Sequence, residues 1–197
     1  MPDFSYENNI KQQGFSLVCG VDEAGRGPLA GPVYAAACIL PDGLVIEGLN
    51  DSKKISEKKR EALYDVIIEN AVDYCVATAS VEEIEEYNIL NATYLAMTRA
   101  VEGLKKVDFC LIDGNRIPPK LNGMSEAIVK GDSKSFSIAA ASILAKVSRD
   151  RYLLELDKEY PMYNFKKHKG YGTKEHMDLI RQYGACPMHR KSFLKNL

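Results

Sequence analysis

The sequence predicts an α/β fold in which helices pack on a mixed β-sheet, and three observations carry that prediction. Two apolar runs, residues 16–21 and 33–40, are joined by a short connection rich in glycine and proline, which suggests an antiparallel pair of strands. Beyond residue 55, short apolar runs alternate with segments of helical period, the pattern of helices laid against a sheet. The 197 residues, 46% of them apolar, suffice to bury one compact core.

Leu17, Val18 and Val21 make the first run apolar; it is too short for a helix and is stopped by the glycines that follow. Asp22 and Glu23 stand at its far end. Pro28, Gly31 and Pro32 forbid a regular helix across the next turn, and the second strand stops at Pro41-Asp42-Gly43. Ser56 with Glu57 behind it predicts a helix start, and Leu63, Val66 and Ile67 supply a buried face until about Asn70. Residues 72–81, rich in small and β-branched side chains, predict a third strand.

A second helix is expected from Val81 to about Lys105, its acidic start (Glu82, Glu83, Glu85, Glu86) matching the positive end of the helix dipole. Residues 107–112 predict a fourth strand ending in Asp113-Gly114-Asn115. A proline-containing loop at 117–123 leads to a short fifth strand, 127–130, ending at Gly131-Asp132. A long helix over 135–160 carries Ala139, Ala140, Ala141 and Ala145, small enough for close packing on a sheet. A loop at 161–172, a helix from Thr173 to about Tyr183 and a basic end complete the chain.

The near-zero net charge conceals a division. Residues 1–145 hold 14 Lys and Arg against 21 Asp and Glu, whereas 146–197 hold 12 against 6. The acidic part supplies candidate metal ligands and the basic part candidate phosphate contacts. Cys19, Cys38, Cys75, Cys110 and Cys186 are scattered singly with no CxxC pair, the pattern of buried reduced thiols rather than of a disulfide framework or a zinc site. No long apolar run and no signal-peptide pattern is present, so a soluble, cytoplasmic protein with no membrane role is expected. Residues 1–14 read as a flexible arm, and 15–197 as a single catalytic domain that includes a basic helical segment from about residue 161.

Asp22, Glu23, Asp113 and Asp132 all fall at or just past the C-terminal ends of predicted strands, where open α/β sheets place their sites. Gathered carboxylates repel one another unless protons or cations intervene, and hard Mg²⁺ or Mn²⁺ suits an all-oxygen donor set. Asp150 competes with Asp132 for the fourth place. Asp132 is preferred because it follows a strand, while Asp150 lies inside a predicted helix.

Taken together, Gly20-Val-Asp-Glu-Ala-Gly-Arg-Gly-Pro-Leu-Ala-Gly-Pro-Val33, Leu49-Asn-Asp-Ser-Lys-Lys54, Asp113-Gly114, Gly131-Asp-Ser-Lys134, Ala140-Ala-Ser-Ile-Leu-Ala-Lys-Val147 and His168-Lys-Gly-Tyr-Gly-Thr173 closely resemble the bacterial ribonuclease HII family, in its order and over residues 18–193. The resemblance implies a ribonuclease H-like fold with a five-stranded mixed sheet and a C-terminal helical segment. It also implies an endonuclease that cleaves the RNA strand of RNA–DNA hybrids and cuts 5′ of single ribonucleotides in duplex DNA by two-metal-ion catalysis, for ribonucleotide excision repair. Its metal and catalytic residues fall on Asp22, Glu23, Asp113 and Asp132, with Mn²⁺ or Mg²⁺ as cofactor.

Gly25, Arg26 and Gly27 would read the ribose 2′-hydroxyl together with Tyr171, whose ring can lie against a deoxyribose where a hydroxyl would clash. Lys53, Lys54, Ser133, Lys134 and Lys146 are candidate phosphate contacts, extended by Lys166, Lys167, Lys169, Arg190 and Lys191. His168, His176 and His189 are phosphate contacts or packing. A monomer is expected, and a replication clamp or polymerase partner stays open. The same acids also admit a hybrid-binding module without catalysis, or a phosphatase of small esters.

Overall fold

The structure is a computed structural model that describes residues 2–50 and 55–195. Strands β1 (Val18–Ala24), β2 (Val33–Ile39), β3 (Asp73–Ala79), β4 (Phe109–Asp113) and β5 (Ser125–Ile128) form one sheet in the order β3-β2-β1-β4-β5. The β1–β2 and β2–β3 pairs are antiparallel, and β1–β4 and β4–β5 are parallel, so the sheet is mixed as expected. The short glycine-rich connection returns β2 alongside β1, while the parallel β1–β4 pair is reached only after a long excursion that includes helices.

The helices are α1 (Ser5–Gln12), α2 (Glu57–Asn70), α3 (Val81–Glu102), α4 (Phe136–Glu159), α5 (Phe165–His168) and α6 (Lys174–Tyr183). Alternation along β2 divides the core: Ala35 and Ala37 pack with Ala96, Met97 and Ala100 of α3, and Ala36 and Cys38 pack with Ala139, Ala140 and Ile143 of α4 and Ile67 of α2. A further cluster of Leu153, Leu156, Tyr163, Phe165 and Ile180 fastens the C-terminal segment to the far half of α4. Among the described residues, no helix is long and apolar enough to cross a membrane.

Three local outcomes differ from the sequence reading. Strand β1 does not stop at Val21; its ladder continues through Asp22↔Ala36, Glu23↔Ala35 and Ala24↔Tyr34, so both acids are held by strand pairing. Helix α3 is interrupted at Asn88 (φ 67°, ψ 164°), whose Oδ1 accepts the N–H groups of Leu90 and Asn91 and so restarts the helix. The region expected to be a flexible arm contains α1. Its Ile10 packs beside Val18, Leu111 and Ile138, and its buried Glu7 accepts from the Ser135 hydroxyl (2.6 Å) and the Ser137 N–H (2.9 Å) at the start of α4.

Helix α4 lies tightly against β1 at Gly20. A Cβ on Gly20 would lie 2.0 Å from the carbonyl carbon of Ser137 and 2.1 Å from the nitrogen of Ile138, so backbone meets backbone and no side chain can yield. Gly20→Ala should therefore destabilise the fold by about 2–4 kcal/mol, as expected for an overpacked core with an immovable neighbour. Urea unfolding checks this: the midpoint falls, whereas an unchanged midpoint would show that α4 is free to shift.

Candidate active site

Strand geometry gives the two adjacent acids different surroundings, because consecutive side chains leave opposite faces of a sheet. Asp22 turns toward α4, is 5% exposed, and accepts the Glu23 N–H at 2.7 Å and a hydrogen bond from Ser142. Glu23 lines a cleft of about 410 Å³ on the α3 side with Arg26, Tyr94, Met97, Asp113, Asn115 and Arg116. Burial, and then the charges of Glu23 and Asp113, push the Asp22 carboxyl well above the usual carboxylate range; the Ser142 and Glu23 hydrogen bonds only partly oppose this.

Asp113 ends β4, the parallel neighbour of β1. Its Oδ1 accepts the Gly131 N–H at 2.6 Å and the Asp132 N–H at 3.4 Å, which ties the last acid's turn to the strand end. Asp132 is 7% exposed and does not end a strand: β5 stops at Ile128, Lys130 takes a left-handed conformation (φ 57°), and Gly131–Ser133 forms a single 3₁₀ turn. That reversal is what aims two backbone N–H groups at Asp113. Asp150, the rival, sits on α4 and takes Lys146 as an ion-pair partner at 2.7 Å.

The donor set is carboxylate oxygen throughout and suits a hard divalent cation, which would relieve the repulsion felt by Asp22. Among the described residues, no three His, Cys, Asp or Glu side chains already stand in metal-holding geometry. A cation held by these acids would require their side chains to move from these positions.

A hollow of about 250 Å³ joins the acids to the candidate sugar-reading residues: Asp22, Glu23, Gly25, Arg26, Gly27, Ser142, Lys146 and Tyr171 all line it. Gly25 has φ 94°, a conformation glycine adopts without strain. The Tyr171 ring is 43% exposed, with Lys146 Nζ 6.0 Å from its centroid. Arg26 is exposed and leans on Glu23 at 3.3 Å. Ser133 donates to the Lys130 carbonyl and Lys134 is exposed, both just past Asp132. Lys53 and Lys54 lie outside the described residues.

Along the tail, Lys166 and Lys167 are exposed and paired with Asp157 and Glu175, and Lys191 is exposed. Arg190 departs from the sequence reading. It is fully buried and is a structural partner of the Gly25–Gly31 loop, not a phosphate contact.

The histidines prove to be packing residues. His168 and His176 stack at 4.1 Å, and His176 Nε2 meets His189 Nε2 at 3.1 Å. The Cys186 N–H donates to His189 Nδ1, so His189 carries its proton on Nε2 and donates to His176, which in turn donates from Nδ1 to the Tyr171 carbonyl. This chain needs both rings neutral, and burial lowers both pKa values to about 4.

Ser142, Asn115, Arg116 and Tyr94 were not singled out from sequence. For Ser142 the signal was present, since Ser142 and Lys146 are one helical turn apart and share a face of α4.

A mixed β3-β2-β1-β4-β5 sheet with helices on it, and carboxylates at the C-terminal ends of its β1–β4 parallel pair, is the architecture of the ribonuclease H class of fold. Residues 19–196 match the family model of ribonuclease HII. Ribonuclease HII of Caldicellulosiruptor saccharolyticus is 55% identical over 98% of this chain and 95% of its own length. Among solved structures, ribonuclease H2 of Pyrococcus horikoshii superposes with a TM-score of 0.74 at 27% identity, covering 92% of this chain and all of that one. Ribonuclease HII of Archaeoglobus fulgidus, solved in complex with PCNA, gives 0.71 at 25% identity over 89% of this chain and 94% of its own. The chain belongs to the ribonuclease HII family, and it is a ribonuclease H, an endonuclease acting on RNA–DNA hybrids.

Two outcomes follow from the ionisation pattern. His176 and His189 bind protons less readily folded than unfolded, so their contribution to stability is complete above the ordinary histidine pKa of 6.5 and is lost as pH falls toward about 4. Denaturation midpoints measured from pH 7.5 to pH 4 should fall across that window, and His176→Phe should flatten the slope. Asp22 has the opposite sign: its raised folded pKa makes the charged form a burden as pH rises above the ordinary value of 3.8. Asp22→Asn should accordingly raise the thermal midpoint of the metal-free protein at neutral pH.

Proposed function

We propose that this chain cuts the RNA strand of RNA–DNA hybrids and also incises duplex DNA on the 5′ side of a single embedded ribonucleotide, leaving 5′-phosphate and 3′-hydroxyl ends. The observation that carries this reading is the single hollow in which Asp22 and Glu23 face Gly25, Arg26, Gly27 and Tyr171. Cutting groups and sugar-reading groups there differ by only a few residues along β1 and its turn.

Asp22, Glu23, Asp113 and Asp132 would hold Mg²⁺ or Mn²⁺. When bound, a pair of such ions supplies an activated water and neutralises charge on the leaving 3′ oxygen. Asp22 is fixed for this by the Glu23 N–H and Ser142, and Asp113 by the N–H groups of Gly131 and Asp132. Gly25 and Gly27 let the main chain approach the ribose, Arg26 reaches a phosphate, and the Tyr171 ring tests the neighbouring sugar for a missing 2′-hydroxyl. Lys146, Ser133, Lys134, Lys53 and Lys54 contact flanking phosphates, which makes affinity fall with salt.

The biological reading is removal of misincorporated ribonucleotides in the cytoplasm by a monomer. A sliding clamp is a candidate partner, as the complex of the A. fulgidus relative with PCNA suggests.

The test is incubation of a duplex carrying one ribonucleotide, and of a continuous hybrid, with Mg²⁺ or Mn²⁺, followed by analysis of the product ends. Incision 5′ of the ribonucleotide is expected, and no incision with either ion would contradict the reading. Asp113→Asn should lower kcat by about a thousand-fold while duplex affinity changes by no more than about three-fold, because the loss lies in the transition state.

A further inference from the structure

We propose that Arg190 is a positioning residue for ribose recognition. It holds the Gly25–Gly31 loop in the shape that turns the N–H groups of Arg26 and Gly27 toward the substrate, and thereby sets the preference for an RNA–DNA junction over a continuous hybrid. The proposal rests on the reading that this loop and Tyr171 sense the sugar.

Arg190 is 0% exposed; its guanidinium lies 5.2 Å from the Phe193 ring centroid and directs its hydrogen bonds to main-chain carbonyls. Nε donates to Gly31 O at 2.9 Å, Nη1 to Arg26 O at 2.9 Å, and Nη2 to Gly25 O at 2.7 Å and Gly31 O at 2.6 Å. A buried charge with carbonyls in place of a carboxylate partner is a costly way to staple a loop. It does specify one loop shape, because a planar fork can donate to all of these carbonyls only when they converge on it.

Convergence has a consequence on the opposite side of the loop. In a trans peptide the C=O of one residue and the N–H of the next point in opposite directions, and the chain has no cis peptide bond among the described residues. Drawing the carbonyls of Gly25 and Arg26 inward to Arg190 therefore sends the N–H groups of Arg26 and Gly27 outward. These are donors of the kind a ribose hydroxyl or phosphate oxygen requires, at the residues lining the hollow with Tyr171.

Other contacts fix the loop's distance from that ring. Arg149, also fully buried, donates to Ala30 O at 3.1 Å and Lys169 O at 3.0 Å, bridging the turn to the Tyr171 segment, and its guanidinium lies 5.8 Å from the Tyr171 ring centroid. The Leu29 N–H donates to Gly170 O, and the Arg190 N–H to Leu29 O, each at 2.8 Å. The sugar-reading loop is thus clasped from beneath by a residue that follows it by more than 150 positions, a link that also makes the C-terminal segment part of substrate choice.

The experiment compares wild type, Arg190→Lys, Arg190→Gln and Tyr171→Ala. Each is characterised by thermal midpoint and by kcat/KM on two substrates, a duplex with one ribonucleotide and a continuous hybrid. Lysine keeps the charge but cannot span three carbonyls, so Arg190→Lys should lose about ten-fold more on the single-ribonucleotide duplex than on the hybrid, in keeping with the cost of a displaced positioning group. An equal loss on both substrates, or failure of both Arg190 variants to fold, makes Arg190 a purely structural residue and overturns the proposal. An unchanged substrate ratio in Tyr171→Ala removes the ribose-reading role itself, and the proposal with it. A changed ratio in that variant beside an unchanged ratio in Arg190→Lys overturns the proposal alone.

Discussion

Everything at the site depends on how closely α4 lies against β1. The contact is made possible by the absence of a side chain at Gly20 and by the small residues Ala139, Ala140 and Ala141, and it sets the height of the helix above the sheet. From that height Ser142 reaches Asp22, Lys146 overlooks the hollow, and Arg149 slides under Gly25, where a Cβ would meet its Nε at 2.1 Å. Ser142, Lys146 and Arg149 are spaced at about one helical turn because they all face one strand and its turn. A helix held even one side chain further out would leave Asp22 buried without its hydroxyl partner.

The second organising feature is electrostatic. The sheet buries Asp22 beside Glu23 and Asp113, which disfavours three charges at once, and the surrounding N–H and hydroxyl donors compensate only in part. A cation held there, as proposed, would relieve that repulsion. The loop beyond β1 shows the complementary case: two buried guanidiniums donate to main-chain carbonyls, Arg190 to those of Gly25, Arg26 and Gly31 and Arg149 to those of Ala30 and Lys169, while Arg149 Nε is left without a partner among the described residues.

Much of this was legible in the sequence. The two first strands, their antiparallel pairing and the long alanine-rich helix follow from apolar run lengths and from glycine and proline positions, which act locally. Motif resemblance pointed to the acids and the Gly25–Gly27 turn, and the fold brings Asp22, Glu23 and that turn to one hollow, with Asp113 and Asp132 outside its lining. What was not legible depends on tertiary context. Asp22 and Glu23 are poor strand formers, and only the ladder to Ala36 and Ala35 keeps them in β1. Asp132 is placed by a left-handed Lys130 that no propensity favours. Arg190 reads as one more surface cation of a basic tail, because nothing local reveals that three carbonyls from residues 25–31 will fold over it. The docking of α1 rests on Glu7 finding Ser135, a pairing across 128 residues.

The central claim is that the strand-end acids form the cation site on which cutting depends. Anomalous X-ray diffraction from crystals of the protein soaked in Mn²⁺ tests it most directly. The account predicts a manganese peak bounded by the carboxylates of Asp22, Glu23 and Asp113. A peak elsewhere on the molecule, with none between β1 and β4, would contradict it.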